Sequence, residues 1–219
     1  MAGTAAETET RSRDGAVERA CDEIRALIMQ RRLVPGEHVR QDEIASLIGI
    51  SRAPIRQALQ VLREEHVVEY ERNRGYFVKR YTPDQMKQLY VLRDLLETAV
   101  LDSLPPATEE ALERLAAINE KIREPDLSVE AVGALNDEFH AELMRLSPME
   151  VLVAEALRIW RMTVAFRILS TSVLADWSAI ADDHDRMLDA FRRHDLDELA
   201  QIAREHRDLS LGRLLPILR

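Results

Sequence analysis

Residues 35–78, PGEHVRQDEIASLIGISRAPIRQALQVLREEHVVEYERNRGYFV, contain the pattern that decides the fold of the first part of the chain. The apolar residues of 41–48 share one helical face, and Gly49 suits the left-handed conformation that often ends a helix. A second helix is predicted over 52–65, because apolar residues recur there at helical spacing, namely Ile55, Leu59 and Leu62.

A β-hairpin is predicted directly after these two helices. The runs 67–71 and 76–80 are rich in β-prone residues, and Gly75 between them suits a tight turn. Before residue 35, apolar residues recur at helical spacing over 16–32. Three helices followed by a hairpin predict a winged helix-turn-helix domain over 15–81.

Arginines lie on the parts of this domain that contact DNA in winged helix-turn-helix proteins, namely the second helix of the pair and the hairpin. Arg52 and Arg56 share the helical face opposite the apolar one, and arginine reads guanine with two hydrogen bonds. Arg72 and Arg74 flank the tip of the hairpin, and Arg40 precedes the first helix of the pair. Taken one at a time, these residues are also compatible with ordinary solvated surface charges. The helix breakers, the hairpin and the charge distribution together favour DNA binding.

The charge is distributed unevenly over the 219 residues, whose formal net charge is −9. Residues 1–80 carry 14 Lys and Arg against 13 Asp and Glu, a balance of +1. Residues 81–219 carry 16 against 26, a balance of −10. An acidic region attached to a locally basic one repels random duplex, so this distribution is compatible with a protein that binds specific sites.

Several features predict a cytoplasmic protein. No apolar run approaches the roughly 20 residues that span a bilayer, and the first residues lack the apolar core of a signal peptide. The single cysteine, Cys21, has no partner for an internal disulfide. Residues 1–14 are small, polar and charged without periodicity, and we expect a disordered tail there.

The region 82–219 is expected to form an all-helical bundle, so that the whole chain is mainly α. Its apolar periodicity, with prolines as breakers, predicts six helices. Their approximate ranges are 83–104, 108–123, 128–146, 149–173, 176–193 and 195–214.

Three histidines of this region, His140, His184 and His206, lie on three different predicted helices. Asn136 precedes His140 by four residues, so both side chains share a helical face. Histidines converging from three helices can bind a divalent metal. The alternative is that each packs against neighbours or faces water, as helical histidines commonly do.

The stretch 35–78 resembles the GntR family of transcriptional regulators, especially in PGE, IGISRAPIRQAL and RGYFV. The resemblance implies that Arg52, Arg56 and Gly75 occupy DNA-contact positions. Asp42 departs from the pattern, because the fatty-acid-responsive member of the family is expected to have a DNA-contacting arginine there.

Residues 83–215 resemble the FCD ligand-binding domain of the FadR subfamily, through NDEFHAELMRL, DHDRMLDAFRRHD and IAREHRDL. Many such domains hold a divalent metal with one Asp and three His. The resemblance places His140, His184 and His206 at the histidine positions and the neutral Asn136 at the Asp position. Imidazole ligands favour Zn²⁺ or Ni²⁺ over Mg²⁺.

Arg93, in YVLRDLLE, lies on the first helix of this region, where similar proteins often bring an arginine toward the pocket. It is a candidate partner for an effector carboxylate. Equally, it is compatible with a surface arginine paired with Glu97. Aromatic and sulfur-containing residues further along are interpreted as core or dimer packing, namely Trp160, Met162, Phe166 and Trp177.

Together these patterns predict a non-enzymatic, homodimeric repressor that binds palindromic operator DNA. A small carboxylic acid, bound near the divalent metal, is expected to control operator affinity. Two alternatives remain from the sequence. Three histidines with an open coordination position also suit a metal-dependent hydrolase, and the metal can be purely structural.

Overall fold

The computed structural model describes residues 3–171 and 177–218, and the chain divides into two compact units, Met1–Arg80 and Tyr81–Arg219. The sequence placed this boundary one residue later. The elements described in the first unit are α1 (Gly3–Met29), α2 (Gln41–Ile48), α3 (Arg52–Glu64), β1 (Val68–Glu71) and β2 (Gly75–Val78). The predicted order of three helices and a hairpin, followed by a helical region, is confirmed.

The core of the first unit forms where α1 packs on α3. Ile24 of α1 and the α3 residues Ile55, Leu59 and Leu62 are completely buried. Burying such a side chain stabilises a fold by roughly 1.5–3 kcal/mol. Because this face of α3 packs in the core, the opposite face of the helix is exposed.

The hairpin is antiparallel, with Val68 opposite Val78, and its turn depends on Gly75. Gly75 has φ +96°, a left-handed conformation that favours glycine. A Cβ atom there would lie 2.8 Å from Nε2 of His38, which itself bridges to Phe77 at the edge of the sheet. Gly75 therefore permits both the turn and the close approach of His38.

The first helix is described over Gly3–Met29, whereas the sequence predicted a helix over 16–32. The disordered tail expected over 1–14 stays a prediction.

The second unit is helical throughout its described residues. Six helices were predicted there, and seven are described. They are α4 (Pro83–Leu101), α5 (Glu109–Lys121), α6 (Val129–Arg145), α7 (Glu150–Met162), α8 (Val164–Thr171), α9 (Ser178–Arg192) and α10 (Leu196–Leu214).

The extra helix arises because the predicted helix 149–173 is interrupted at Thr163. The Thr163 hydroxyl donates to the carbonyl of Trp160 at 3.0 Å, and a guanidinium nitrogen of Arg167 donates to the same carbonyl. Side chains that satisfy a backbone carbonyl in this way compete with the regular helical hydrogen bond. Residues 172–176, at the end of the predicted helix, lie outside the described residues.

One apolar cluster holds together α5, α6, α9 and α10. Its largest fully buried members are Leu115, Phe139, Met187 and Phe191. Phe139 also stacks face to face on His184, with ring centroids 3.9 Å apart. The same packing that forms this core therefore fixes the helices that carry the three histidines.

Candidate functional site

The structure brings together the three histidines that the sequence singled out. His140 of α6, His184 of α9 and His206 of α10 each offer a ring nitrogen, and these nitrogens lie within 4.8 Å of one another. His140 is 7% exposed and His184 is completely buried. Three imidazoles at this separation can bind one metal ion.

Hydrogen bonds on the outer side of the cluster orient two of the rings. Nδ1 of His206 lies 3.0 Å from a carboxylate oxygen of Asp183, and this hydrogen bond holds the pKa of Asp183 below its ordinary value. Nδ1 of His184 lies 3.0 Å from Oδ1 of Asn119. Because the Asn119 amide nitrogen donates to the Ala181 carbonyl, its Oδ1 is the acceptor and His184 is the donor. Both rings then direct Nε2 lone pairs inward, as metal-binding histidines do.

Three polar atoms of the histidines and of Asn136 lack partners among the described residues. They are Nε2 of His140, Nε2 of His184 and Oδ1 of Asn136, and all three are buried. An unsatisfied buried acceptor costs about 1–3 kcal/mol, so such groups are rare in folded proteins. A cation among the three rings would satisfy both histidine nitrogens, and the three histidines therefore fit a metal ion, with Asn136 beside them at the cavity that His206 also lines.

The protonation states of the buried rings suit metal binding as well. Burial, followed by repulsion from His184 and His206, holds the pKa of His140 well below its ordinary value of 6.5. Burial and the neighbouring His206 do the same for His184. Both rings are neutral near pH 7, and neutral imidazole is the form that coordinates metals.

Asp137, next to Asn136, is not available as a ligand in its place. Both of its carboxylate oxygens accept from the guanidinium of Arg167, at 3.1 Å and 2.6 Å. The Arg167 side chain is 7% exposed and that of Asp137 is 22% exposed, so this ion pair is largely buried. If Asp137 turned to a metal, Arg167 would be left with an uncompensated charge, so Asp137 stays paired with Arg167.

A small cavity of about 30 Å³ adjoins the histidines. A space of that size holds about two water molecules. Its lining is polar and rich in arginine, and it includes both Asn136 and His206. The arginines of the lining are Arg93, Arg167, Arg207 and Arg213.

The sequence suggested that Arg93 either binds an effector carboxylate or is a surface arginine paired with Glu97, and the structure agrees with part of each. It pairs with Glu97, with Nε at 2.7 Å from the carboxylate, but the surface placement was wrong because Arg93 is only 3% exposed. Its guanidinium lies over the Trp160 ring, 4.1 Å from the centroid. Arg93 therefore lines the cavity with one side of its guanidinium already engaged.

Sequence reasoning missed Arg167 and Arg207. Arg207 donates to Glu97 at 2.6 Å and also to Asp94, although it is 3% exposed. Its position in register with the buried residues Leu199 and Ala203 was a usable signal of burial. Within the longer helix predicted over 149–173, Arg167 shares a face with the buried Ala156 and Trp160, which was a similar signal.

The candidate DNA-reading residues of α3 lie on its exposed face. Arg52 and Arg56 are both exposed, opposite the buried Ile55 and Leu59. Arg52 is not free, since its Nε lies 2.5 Å from a carboxylate oxygen of Asp42 on α2. Asp42, which departs from the family pattern, thus contacts Arg52, a predicted base-reading arginine.

Two further candidate DNA contacts are also paired with carboxylates. Arg40 donates to Glu43 at 2.8 Å, and Arg74 at the hairpin turn pairs with Glu71. By contrast, Arg56 and Arg72 form no ion pair within the described part of the chain. Surface ion pairs are weak, so the paired arginines can exchange a carboxylate for a phosphate or a base at small cost.

Two family models match the chain. The model described as bacterial regulatory proteins of the gntR family matches residues 16–78. The model of the FCD domain matches residues 88–209, more than half of the chain.

Curated relatives include an HTH-type transcriptional regulator in an unstable DNA locus of Streptomyces ambofaciens, 32% identical over 57% of this chain and 53% of the relative. The Nta operon transcriptional regulator of Aminobacter aminovorans is 32% identical over 54% of this chain and 58% of its own length. The matches to these relatives thus span little more than half of their length. The gluconate operon transcriptional repressor of Bacillus licheniformis is 25% identical over 93% of this chain and 86% of that protein.

Solved structures share the fold. A transcriptional regulator from Rhodococcus sp. RHA1 aligns with a TM-score of 0.74 at 20% identity, over 93% of this chain and 99% of its own. McbR/YncC of E. coli aligns with a TM-score of 0.82 at 18% identity over the same shares. Among the residues that the structure describes, no helix has both the length and the apolarity to cross a membrane.

Proposed function

Because the chain belongs to the GntR family of bacterial regulators and carries an FCD domain, we propose that it is a homodimeric repressor controlled by a small carboxylic acid. The acid binds beside a divalent metal in the second unit, and its binding lowers the affinity for operator DNA. One observation carries the proposal: ring nitrogens of His140, His184 and His206 converge, and an arginine-lined cavity that includes Asn136 adjoins them at His206.

The metal ligands in this proposal are His140, His184 and His206, with Oδ1 of Asn136 as a weaker fourth. Imidazole nitrogen suits Zn²⁺ and Ni²⁺. When bound, the ion supplies a positive centre that attracts an anion, since neither the neutral imidazoles nor the amide cancel its charge. Asn119 and Asp183 hold two of the rings in the tautomer that this requires.

A carboxylate is the proposed occupant because of the charges around the cavity. Guanidinium groups recognise carboxylates with paired hydrogen bonds. The similarity to a gluconate operon transcriptional repressor supports the repressor role.

Operator recognition depends on Arg52 and Arg56 of α3, with the hairpin turn as a second contact. One recognition helix reads few base pairs, so useful specificity requires two copies on a palindromic site. Sedimentation of the protein on operator DNA checks this point. A single copy bound per operator would contradict the homodimer.

The hydrolase alternative finds no support in the site, because the carboxylates around the histidines are already bonded. Asp137 pairs with Arg167, and Asp183 accepts from His206. Neither is arranged to activate a metal-bound water as a general base. Ester or phosphodiester turnover by the metal-loaded protein would overturn this conclusion.

Calorimetry with Zn²⁺ tests the metal site, and thermal-shift measurements with carboxylic acids test the effector. We expect one Zn²⁺ per chain, and acid-dependent stabilisation only when Zn²⁺ is present. His184→Ala should abolish tight binding of Zn²⁺, whereas the exposed His194→Asn should leave it unchanged. Tight Zn²⁺ binding without any effect of acids would indicate a purely structural metal.

A further inference from the structure

Three of the four arginines around the cavity are already neutralised. Arg93 pairs with Glu97, Arg207 pairs with Glu97 and Asp94, and Arg167 pairs with Asp137. These contacts form two groups, Arg167 with Asp137 and the two other arginines with Glu97 and Asp94, and Asp94 also pairs with Arg204 outside the lining. Each of the three guanidinium groups that shape the cavity therefore already has a carboxylate partner.

Arg213 differs from the other three. It lines the same cavity and is half-buried, yet it forms no ion pair within residues 3–171 and 177–218. Among the described residues Arg213 is thus the lining arginine without a carboxylate partner, and the proposed metal would supply a second positive charge.

The positions of these two charges are related by α10. His206, Ser210 and Arg213 are spaced at i, i+4 and i+7, so they share one helical face. A rise of 1.5 Å per residue places Ser210 about 6 Å and Arg213 about 10.5 Å along the helix from His206. All three line the cavity. The helix thus presents a metal ligand, a hydroxyl and a guanidinium in a row.

Hydroxyl groups occupy the middle of this row. Oγ of Ser210 lies 2.9 Å from Oγ of Ser170 and 3.2 Å from the hydroxyl of Tyr90. Ser170 also lines the cavity. Hydroxyls both donate and accept, so this pair can exchange its mutual hydrogen bond for bonds to a ligand.

We propose that the effector is a short dicarboxylic acid, with one carboxylate at the metal and the second at Arg213. This inference rests on the proposed function, because it takes the metal as the first anchor. A dianion matches the two separated positive charges, whereas a monocarboxylate leaves Arg213 without a partner. The cavity holds only about two water molecules, so entry of the acid requires the lining side chains to move apart, with the hydrogen bond between Ser170 and Ser210 among the contacts that open.

The test compares acids that differ only in the second carboxylate. Calorimetry on the Zn²⁺-loaded full chain measures binding of succinate against butyrate, and of glutarate against pentanoate. We expect each diacid to bind at least about tenfold more tightly than its monoacid, as one buried charge-assisted contact provides.

The Arg213→Gln variant should remove this preference and leave the monoacids within about twofold of the wild type. Arg213→Lys keeps the charge and should restore part of the preference, which a merely structural role would not do. Arg192→Gln on α9 is the matched control, because it removes one exposed arginine of the same unit. It should bind both kinds of acid as the wild type does.

Failure of the inference is distinguishable from failure of the proposed function. If diacids and monoacids bind equally well in a Zn²⁺-dependent manner, and Arg213→Gln changes neither, the dicarboxylate inference is wrong and the proposed function stands. If none of the four acids binds while another carboxylic acid does so with Zn²⁺, the dicarboxylate inference is wrong. If acid binding is independent of Zn²⁺, or no small carboxylic acid of the thermal-shift series binds, the proposed function itself is wrong.

Discussion

Replacing Asp42 by asparagine should make the protein bind DNA more tightly and less selectively. In the free protein the Asp42 carboxylate lies 2.5 Å from Nε of Arg52, and their side chains are 64% and 75% exposed. The change removes the ion pair while leaving an amide of nearly the same shape. Arg52 then approaches any phosphate without first leaving a carboxylate.

The size of the effect follows from the exposure of the pair. Exposed ion pairs contribute at most about 1 kcal/mol, so freeing Arg52 should strengthen binding up to about fivefold. Removing a negative charge that faces phosphates adds a similar, salt-screened gain. We therefore expect random duplex to bind about three- to tenfold more tightly. One more phosphate contact should steepen the salt dependence of log K by about 0.9.

Operator DNA should gain less than random duplex, because we expect Asp42 to orient Arg52 for the proposed base contact as well. Fluorescence anisotropy with both duplexes across a salt series measures the two affinities, and their ratio should fall at least about threefold. Glu64→Gln is the control, since it removes one exposed carboxylate about 18 Å along α3 from Arg52. Unchanged affinity and salt slope for random duplex would show that Asp42 does not restrain Arg52.

Three other changes follow from the structure. Gly75→Ala should destabilise the first unit by about 1–3 kcal/mol, because residue 75 has φ +96° and the new Cβ would lie 2.8 Å from His38. Urea unfolding checks this, with Gly15→Ala as control. Equal unfolding free energies for Gly75→Ala and the wild type would contradict it. Metal-free protein should lose stability below about pH 6.5, by up to about 2.7 kcal/mol per pH unit, because unfolded His140 and His184 bind protons that the folded rings, with lowered pKa, do not. A flat stability between pH 6.5 and 5, measured by denaturant titration, would refute that reasoning. Asn136→Asp should tighten Zn²⁺ binding and weaken succinate binding, because a carboxylate cancels part of the attracting charge; calorimetry in which succinate binds more tightly to this variant would contradict it.

Much of the fold was predictable because it depends on glycine positions and on apolar residues at helical spacing, which are visible in the sequence. Gly49 and Gly75 both adopt the left-handed conformations that their positions suggested, with φ +68° and +96°. The apolar face of α3 is buried as its periodicity indicated. Each of these features depends on residues close together in the chain, so a short window of sequence contains the necessary information.

Contacts between distant residues were not predictable in the same way. Arg207 meets Asp94 and Glu97 across more than 100 residues of sequence, and Arg167 meets Asp137 across 30. The break at Thr163 depends on these side-chain contacts as well, since Arg167 bonds the Trp160 carbonyl. Only the packing of the helices determines which charges become partners.

The central claim is that an acid bound beside a metal at the three histidines controls operator binding. Its most direct test is fluorescence anisotropy of an operator fragment that the protein itself has selected from random-sequence DNA, titrated with succinate. The account predicts that succinate releases the fragment from Zn²⁺-loaded protein, but from neither metal-free protein nor the His184→Ala variant. Equal release from metal-loaded and metal-free protein, or no release from either by any small carboxylic acid, would contradict it.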